Sequence, residues 1–246
     1  MDESHLRNRR SFEKKDKLMT IIAHRSGTDK FQEQTIASAK NSITLGADLI
    51  EIDIRFTLDF VPVVCHDSDA QRLYGDTRHI DEMTALEFLA LRRVADKSVC
   101  GHLFRDYLDC GIENMLFHIK EGGEKNLSLI LSMCQEFGIT DKIVFGVSKV
   151  EDCLYLKSLG MKVLAFMPSA EKIKEFADAG ADYIRLWEKW CTDENVAAVK
   201  STGKSLWVMT DSPSVGEVTE DTYELCRRIK PEGVLLNKIC LAKNFK

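Results

Sequence analysis

The chain has 246 residues, of which 44% are hydrophobic and 30% are charged, and its formal net charge at pH 7 is −5. This composition is typical of a globular chain and excludes disordered and membrane-embedded classes, since no apolar run approaches the roughly 20 residues of a spanning helix. The acidic balance gives no support to nucleic-acid binding, which needs a basic surface. Eight cysteines stand at irregular spacings without a C-x-x-C pair. They argue against a zinc ribbon or a redox pair and predict small reduced core residues.

Two segments are predicted. Residues 1–17 are charged throughout and lack the apolar stretch of a secretory signal, so we expect a surface helix and a cytoplasmic location. Residues 18–246 are expected to form one domain, because α/β barrels of about 250 residues commonly fold as a single unit.

The sequence of this domain predicts strands that alternate with helices. An apolar run at 18–23 predicts a strand that ends in His24-Arg25, and a helical pattern at 35–45 stops at Gly46. Further strands are predicted at 48–54, 61–65, 114–120, 142–147, 161–166, 182–186, 205–209 and 233–236. Helices are predicted at 84–92, 103–108, 125–137, 150–159, 171–179, 192–200 and 217–229. The polar stretch from His66 to Asp81 is expected to be a long irregular loop, a type of segment that often carries function.

Eight main strands alternating with helices predict a closed, parallel (β/α)8 barrel in a single domain. Active sites of such barrels lie at the carboxyl ends of the strands. Six polar residues fall there in the predicted elements: His24, Arg25, Glu51, Asp53, His118 and Lys120. Neither G-x-G-x-x-G after the first strand nor G-x-x-x-x-G-K-[ST] occurs, so the chain lacks dinucleotide and NTP fingerprints.

The stretch IEIDIRFTLDFVPVVCHD, residues 50–67, carries the most specific pattern. Glu51 and Asp53 are two apart, so on a strand both point to the face opposite Ile50, Ile52 and Ile54. Such a pair either faces solvent on a half-buried strand or binds a metal ion. A phosphodiester is anionic and resists attack, so its hydrolysis needs cationic groups on the phosphate and histidines that move protons.

Together, His24-Arg25, Glu33-Gln34-Thr35, residues 46–67 and the stretch LFHIK closely resemble the glycerophosphodiester phosphodiesterase family, a family of TIM barrels. The resemblance covers roughly the first half of the chain in motif and the whole chain in element order. It implies hydrolysis of a glycerophosphodiester to glycerol phosphate and an alcohol, with a small-molecule substrate and a role in lipid and glycerol metabolism. It also implies His24 and His66 as acid and base, and a divalent metal, Mg or Ca, at Glu51 and Asp53. Arg25 and Lys120 would contact the phosphate.

Four residues depart from the family pattern. Ser26 replaces a usual glycine and Gln34 a usual asparagine, changes that could tune the loop over the phosphate. Phe60 replaces a glycine, from which we expect its turn to avoid a positive φ. His118 replaces a glutamate as the third metal ligand. An imidazole with two carboxylates suits Mn, Co or Zn better than Mg or Ca.

The His118 departure leaves three alternatives: an enzyme with a nitrogen-tolerant metal, an enzyme with weakly bound Mg or Ca, or a degenerate barrel that binds a phosphate ligand without turnover. The short loops favour a deacylated substrate over a lipid, and no stable membrane insertion is expected. The headgroup, the oligomeric state and the division of acid and base between His24 and His66 are left open by the sequence.

Overall fold

The computed structural model describes residues 19–245, so the predicted helix in residues 1–17 lies outside the described part. Eight parallel strands form a closed barrel in the order β1-β2-β5-β6-β7-β8-β9-β10, and pairing of β1 with both β2 and β10 closes it. The strands are β1 Thr20–Ala23, β2 Leu49–Phe56, β5 Met115–Ile119, β6 Ile143–Val147, β7 Lys162–Ala165, β8 Tyr183–Trp187, β9 Ser205–Met209 and β10 Gly233–Leu236. Two short strands, β3 Pro62–Val64 and β4 His102–Leu103, extend β2 as an antiparallel flap. The predicted barrel is confirmed.

Nine α-helices lie between the strands in residues 19–245. They are α1 Ile36–Thr44, α2 Gln71–Tyr74, α3 Ala85–Ala90, α4 Phe104–Asp109, α5 Glu124–Glu136, α6 Val150–Ser158, α7 Ile173–Asp178, α8 Asp193–Ser201 and α9 Glu220–Ile229. In residues 19–245, no helix combines the length and the apolar composition needed to cross a membrane. The glycines that precede β6, β7, β8 and β9 all have positive φ, the conformation in which many helices end: Gly138, Gly160, Gly180 and Gly203.

The alternation of side chains along the strands divides the buried residues into two groups. On β2, the outward residues Ile50, Ile52 and Ile54 are fully buried in the core between barrel and helices. The inward Glu51 and Asp53 are equally buried. The half-buried strand with a wet polar face is therefore excluded for this pair.

The barrel interior contains an apolar layer and, two residues further along several strands, a polar layer. The apolar layer comprises Ile22, Leu49, Leu116, Val144, Leu164, Tyr183, Trp207 and Leu235. The polar layer comprises His24, Glu51, Asp53, His118, Lys120 and Arg185. A step of two residues returns to the same face of a strand, so Ile22 precedes His24, Leu49 precedes Glu51 and Leu116 precedes His118. The apolar layer thus supports the base of the polar one.

Three expectations need correction. Phe60 has φ of 63°, so its turn does not avoid the left-handed region. Its N–H donates to Thr57 O at 2.9 Å, and its ring stacks on Phe56 at 5.2 Å and on the Lys125 ammonium at 3.6 Å. These contacts hold the strained conformation. The loop after His66 is not wholly irregular, because α2 and an Asp69–His79 bridge lie in it. All eight cysteines are free, but Cys240 is exposed and is not a core residue.

Candidate active site

All the predicted site residues lie at the carboxyl end of the barrel. His24 and Arg25 follow β1, and Glu51 and Asp53 lie on β2. His66 follows the β3 strand of the flap, which returns antiparallel to β2. His118 lies on β5 directly beside Asp53 in the strand register, and Lys120 follows β5. The strand register therefore brings the two carboxylates and the substituted histidine together.

Glu51, Asp53 and His118 form a cluster whose ligand atoms all lie within 4.8 Å of one another. Asp53 Oδ1 lies 2.9 Å from His118 Nδ1 and 2.8 Å from Lys120 Nζ, and these two nitrogens are 3.1 Å apart. The Lys120 ammonium thus lies beside these ligand atoms and balances the negative charge of Asp53. Two carboxylates and an imidazole nitrogen nevertheless form a donor set that fits a divalent metal of the Mn, Co or Zn type.

The second oxygen of Asp53 is held from the β1–α1 loop. Gln34 Nε2 donates to Asp53 Oδ2 at 2.6 Å, and Arg25 Nε lies 4.0 Å from the same oxygen. Burial alone would raise the pKa of Asp53, but the charge of Lys120 and the contact with His118 outweigh it and hold that pKa well below its usual value. Asp53 is therefore the permanent anion of the site.

Glu51 has the opposite character. Burial, followed by the charge of Asp53, raises the pKa of Glu51 to about 8. The backbone N–H of Arg25 donates to its Oε2 at 2.6 Å. A divalent cation between Glu51 and Asp53 would favour the ionised form of both carboxylates, since opposite charge lowers a carboxyl pKa.

His24 is buried and its tautomer is fixed by Asn237. Asn237 Nδ2 donates to Val215 O at 3.0 Å, which turns the amide oxygen Oδ1 toward His24 Nδ1 at 2.8 Å. The proton of neutral His24 is therefore on Nδ1 and its Nε2 carries a free lone pair. Burial, with the nearby Arg25 charge, lowers the pKa of His24 to about 3. The ring is thus a neutral base.

His66 is only partly buried, with 31% of its side chain exposed, and it contacts a carboxylate. Its Nδ1 lies 2.7 Å from Asp67 Oδ1. Asp67 accepts from Arg72, and Arg72 also donates to Glu33, each at 2.6 Å. Glu33 in turn lies 3.4 Å from Arg25. This chain of alternating charges links the two histidine-bearing loops and places an anion behind His66. Burial, despite the opposing charge of Asp53, lowers the pKa of His66.

Comparison with known proteins bears directly on this geometry. The family model described as "Glycerophosphoryl diester phosphodiesterase family" matches residues 24–155, which include all of the predicted site residues and more than half of the chain. The chain belongs to this family.

Among curated relatives, human glycerophosphodiester phosphodiesterase 1 is 28% identical over 115 residues, 47% of this chain and 34% of that protein. A glycerophosphodiester phosphodiesterase from Caldanaerobacter subterraneus is 37% identical over 71 residues, 29% of each chain. These matches span only about a third of the relatives' length. They support membership of the family.

Solved structures of this family share the fold over nearly the whole chain. A putative glycerophosphodiester phosphodiesterase from Galdieria sulphuraria has a TM-score of 0.79 at 15% identity, covering 93% of this chain and 97% of its own. The glycerophosphodiester phosphodiesterase from Agrobacterium tumefaciens has a TM-score of 0.75 at 19% identity, with 91% and 99% covered. At these identities the likeness establishes the barrel alone.

The imidazole of His118 is held by an aromatic ring. The rings of His118 and Phe166 stack at 3.9 Å with an interplanar angle of 6°. Gly146, beside His118 in the strand register, leaves room for Phe166, because a Cβ there would approach that ring to 2.4 Å. Burial, with the charge of Lys120, lowers the pKa of His118 to about 4 and keeps it neutral. A neutral, oriented imidazole is the form that binds a metal.

Ser26 and Gln34, expected to tune the loop over the phosphate, are both fully buried. The Ser26 hydroxyl pairs with Tyr107 OH at 3.0 Å and Gln34 contacts Asp53, so both support the loop from beneath. Their φ values are 70° and 56°. Glycine and asparagine adopt left-handed φ more readily than serine and glutamine do.

The sequence prediction missed residues that position the site or extend it: Arg72, Phe166, Arg185 and Asn237. Asn237 directly follows β10 and Arg185 lies on the inner face of β8, so the rule that polar residues at strand ends form barrel sites could have found both. Arg72 lies in the short helix α2, whose sequence gives no sign of its contact with Glu33.

The polar layer opens into a cleft of about 560 Å³ that Arg55, His66, Asp67, Arg72 and Lys120 help to line. Arg55 Nε donates to His66 O at 3.0 Å, and the same guanidinium forms an ion pair with Glu121. Three cationic side chains, Arg55, Arg72 and Lys120, therefore lie on the His66 side of the cleft.

Proposed function

We propose that this family member is a metal-dependent phosphodiesterase that hydrolyses glycerophosphodiesters to glycerol phosphate and an alcohol. One observation carries the proposal: two histidines held in different protonation environments flank a cluster of Glu51, Asp53 and His118. The metal would bind these three side chains and neutralise negative charge that develops on the phosphate oxygens. His118 favours Mn, Co or Zn, whereas the family resemblance favours Mg or Ca.

The environments of the two histidines support a division of roles between them. His24, neutral with a free Nε2, accepts the proton of the glycerol hydroxyl next to the phosphate as that oxygen attacks phosphorus. Asp67, whose Oδ1 lies 2.7 Å from His66 Nδ1, favours the imidazolium form of His66, and the charge of a bound phosphate would oppose the lowering of the His66 pKa by burial. His66 donates its Nε2 proton to the alcohol oxygen as the phosphorus–oxygen bond breaks. Water then opens the resulting cyclic phosphate, and each histidine exchanges its role.

Arg25 and Lys120 are proposed to bind the phosphate. Lys120 Nζ contacts Asp53 at 2.8 Å. A metal held by Asp53 would replace this contact and would leave the Lys120 ammonium free to contact a phosphate oxygen. Arg25 has a buried Nε without a hydrogen-bond partner among the described residues, a donor that an anion would satisfy.

The decisive experiment is metal removal followed by single additions. Protein stripped with a chelator should release no glycerol phosphate from glycerophosphoethanolamine, and Mn, Co or Zn should restore release more effectively than Mg or Ca. His118→Glu is the matched variant, because an all-oxygen ligand set should shift the preference toward Mg or Ca. A metal profile unchanged by His118→Glu would show that His118 does not contact the ion.

The competing function is a barrel that binds a phosphate ligand without turnover, which the occupation of the cluster by Lys120 favours. Absence of turnover with every metal, together with no metal retained in the purified protein, would support it. The proposed products belong to lipid and glycerol metabolism. The cytoplasmic location stays a prediction from the sequence.

A further inference from the structure

Arg185 is a buried cation that neither the fold nor the proposed reaction requires. It lies on β8 with its side chain turned into the barrel, and only 4% of the residue is exposed. Its Nε and Nη1 are buried and have no hydrogen-bond partner within residues 19–245, while Nη2 is outside this buried, unpaired set. Asp211, the acid whose charge acts on Arg185, pairs instead with Lys189 at 3.0 Å. Arg185 therefore has no ion-pair partner in the described part of the chain.

Aromatic rings surround this guanidinium. Its Cζ lies 4.3 Å from the ring centroid of Trp187, 5.2 Å from that of Phe166 and 5.7 Å from that of Trp190. Ring faces attract a cation, but they contact the face of the guanidinium and leave the donors in its plane unpaired. Burying donors without acceptors is unfavourable. A planar hydrogen-bond acceptor in the plane of the guanidinium would satisfy these two buried donors.

The position of Arg185 separates it from the reacting phosphate. The ring of His118 covers one face of Phe166 at 3.9 Å, and Phe166 lies between His118 and the guanidinium. The phosphate is proposed to contact Arg25 and Lys120, which follow β1 and β5, and neither of these strands is a neighbour of β8 in the sheet. An anion bound by Arg185 would therefore be a second anionic group of the same substrate.

We propose that Arg185 binds a carboxylate on the alcohol that is esterified to glycerol phosphate, so that the preferred substrates carry a second negative charge. This inference rests on the proposed function. Glycerol is uncharged, so a second anion has to belong to the alcohol. A carboxylate and a phosphate can both pair bidentately with a guanidinium, and a carboxylate, being planar, can also lie flat between the aromatic rings that cover the guanidinium.

The same residues disfavour a choline headgroup. A quaternary ammonium is recognised by aromatic faces, and the faces of Phe166 and Trp187 near the site are already occupied by Arg185. The charge of Arg185 also repels a second cation. Glycerophosphocholine should therefore be a poorer substrate than an ester that carries a carboxylate.

Glycerophosphoserine and glycerophosphoethanolamine form a matched substrate pair, since they differ only by one carboxylate. The wild-type holoenzyme should show kcat/KM at least about tenfold higher for the serine ester, in line with one charge-assisted hydrogen bond. Arg185→Gln should lower kcat/KM for the serine ester about tenfold or more and change that for the ethanolamine ester less than about twofold. Arg105→Gln, which removes a positive charge from an exposed ion pair with Glu136, should leave the ratio unchanged.

Equal loss for both esters in a folded Arg185→Gln protein, as judged by its thermal melting, would overturn the proposal, because Arg185 would then act on a group common to both. A wild-type kcat/KM that is about equal for the serine and ethanolamine esters would also overturn the proposal. Binding of the two esters to the His66→Ala variant, measured by calorimetry, separates this inference from the proposed function. If the wild type hydrolyses neither ester, the proposed function fails, and tighter binding of the serine ester that depends on Arg185 would still support the carboxylate site. Equal binding of the two esters would overturn it.

Discussion

The two layers of the barrel interior contrast in chemistry although they come from the same strands. Ile22, Leu49 and Leu116 pack in the apolar layer, and His24, Glu51 and His118 follow them two residues later in the polar layer. The apolar layer is stabilised by burial, and this stabilisation grows with the apolar area removed from water and does not require exact atom positions. The polar layer is held by directed contacts such as those around Asp53, and its burial is unfavourable without them. Stability and chemistry should therefore be separable by mutation along a single strand.

The largest expected effect is in the site. His66→Ala should lower kcat for glycerophosphoethanolamine by about 10²- to 10⁴-fold, the range of general acid–base catalysis. The free energy of unfolding, measured in urea, should change little, because the His66 side chain is partly exposed. A variant with both normal turnover and normal folding would remove His66 from the proposed mechanism.

The converse variant is in the apolar layer. Leu116 is fully buried on β5, two residues before His118. Leu116→Ala should lower the free energy of unfolding by about 2–5 kcal/mol through the cavity that it creates. The kcat of the folded fraction should stay within about twofold of the wild type. A large loss of kcat at temperatures where the variant is fully folded would show that the two layers are not separable.

A third test uses pH, because the titratable groups belong to the polar layer. The pKa of His24 is lowered from 6.5 to about 3 by burial, so between these values the unfolded chain binds a proton that the folded chain does not. Stability should therefore fall as pH falls from about 6.5 toward 3. His24→Asn should reduce this slope by roughly 1 kcal/mol per pH unit. Urea unfolding between pH 4 and 7 measures both slopes.

Glu51 acts in the opposite direction, since its pKa of about 8 makes stability fall as pH rises from about 4.5. The comparison of wild type with His24→Asn cancels this contribution. Identical slopes in the two proteins would mean that His24 is not neutral in the folded state at acidic pH.

The smallest expected effect concerns the turn after β2, which borders the polar layer. Phe60→Ala and Phe60→Gly both remove the ring contacts with Phe56 and Lys125, but only glycine relieves the positive φ. Phe60→Gly should be more stable than Phe60→Ala by about 1 kcal/mol, measured by chemical unfolding. The reverse order would contradict a left-handed Phe60.

The barrel could be predicted because its signals are local and repeated. Alternation placed Glu51 and Asp53 inside, and the rule for carboxyl ends of strands grouped residues as distant in sequence as His24 and Lys120. The turn of Phe60 could not be predicted in this way. Its φ is set by packing on residues outside the turn, and tertiary contacts override the preference of a single residue.

The sequence also could not reveal how the site residues are paired. The resemblance named His24 and His66 but left their roles open. Their proposed division depends on Asn237 and Asp67, and the first of these is 213 residues away from His24. Likewise, the charge of Lys120 was expected to face a phosphate, whereas its ammonium contacts Asp53. Such contacts join residues that become neighbours only in the folded chain, so no local sequence pattern predicts them.

If the proposed metal binds, the contact of Lys120 with Asp53 and His118 would make its uptake an ion exchange within the site. An ammonium already balances the Asp53 carboxylate, so Asp53 and His118 are held together by Lys120 without an ion. A metal bound at Asp53 would take over this balance and leave the Lys120 charge for an anionic substrate. Metal binding and readiness to bind an anion would then be coupled.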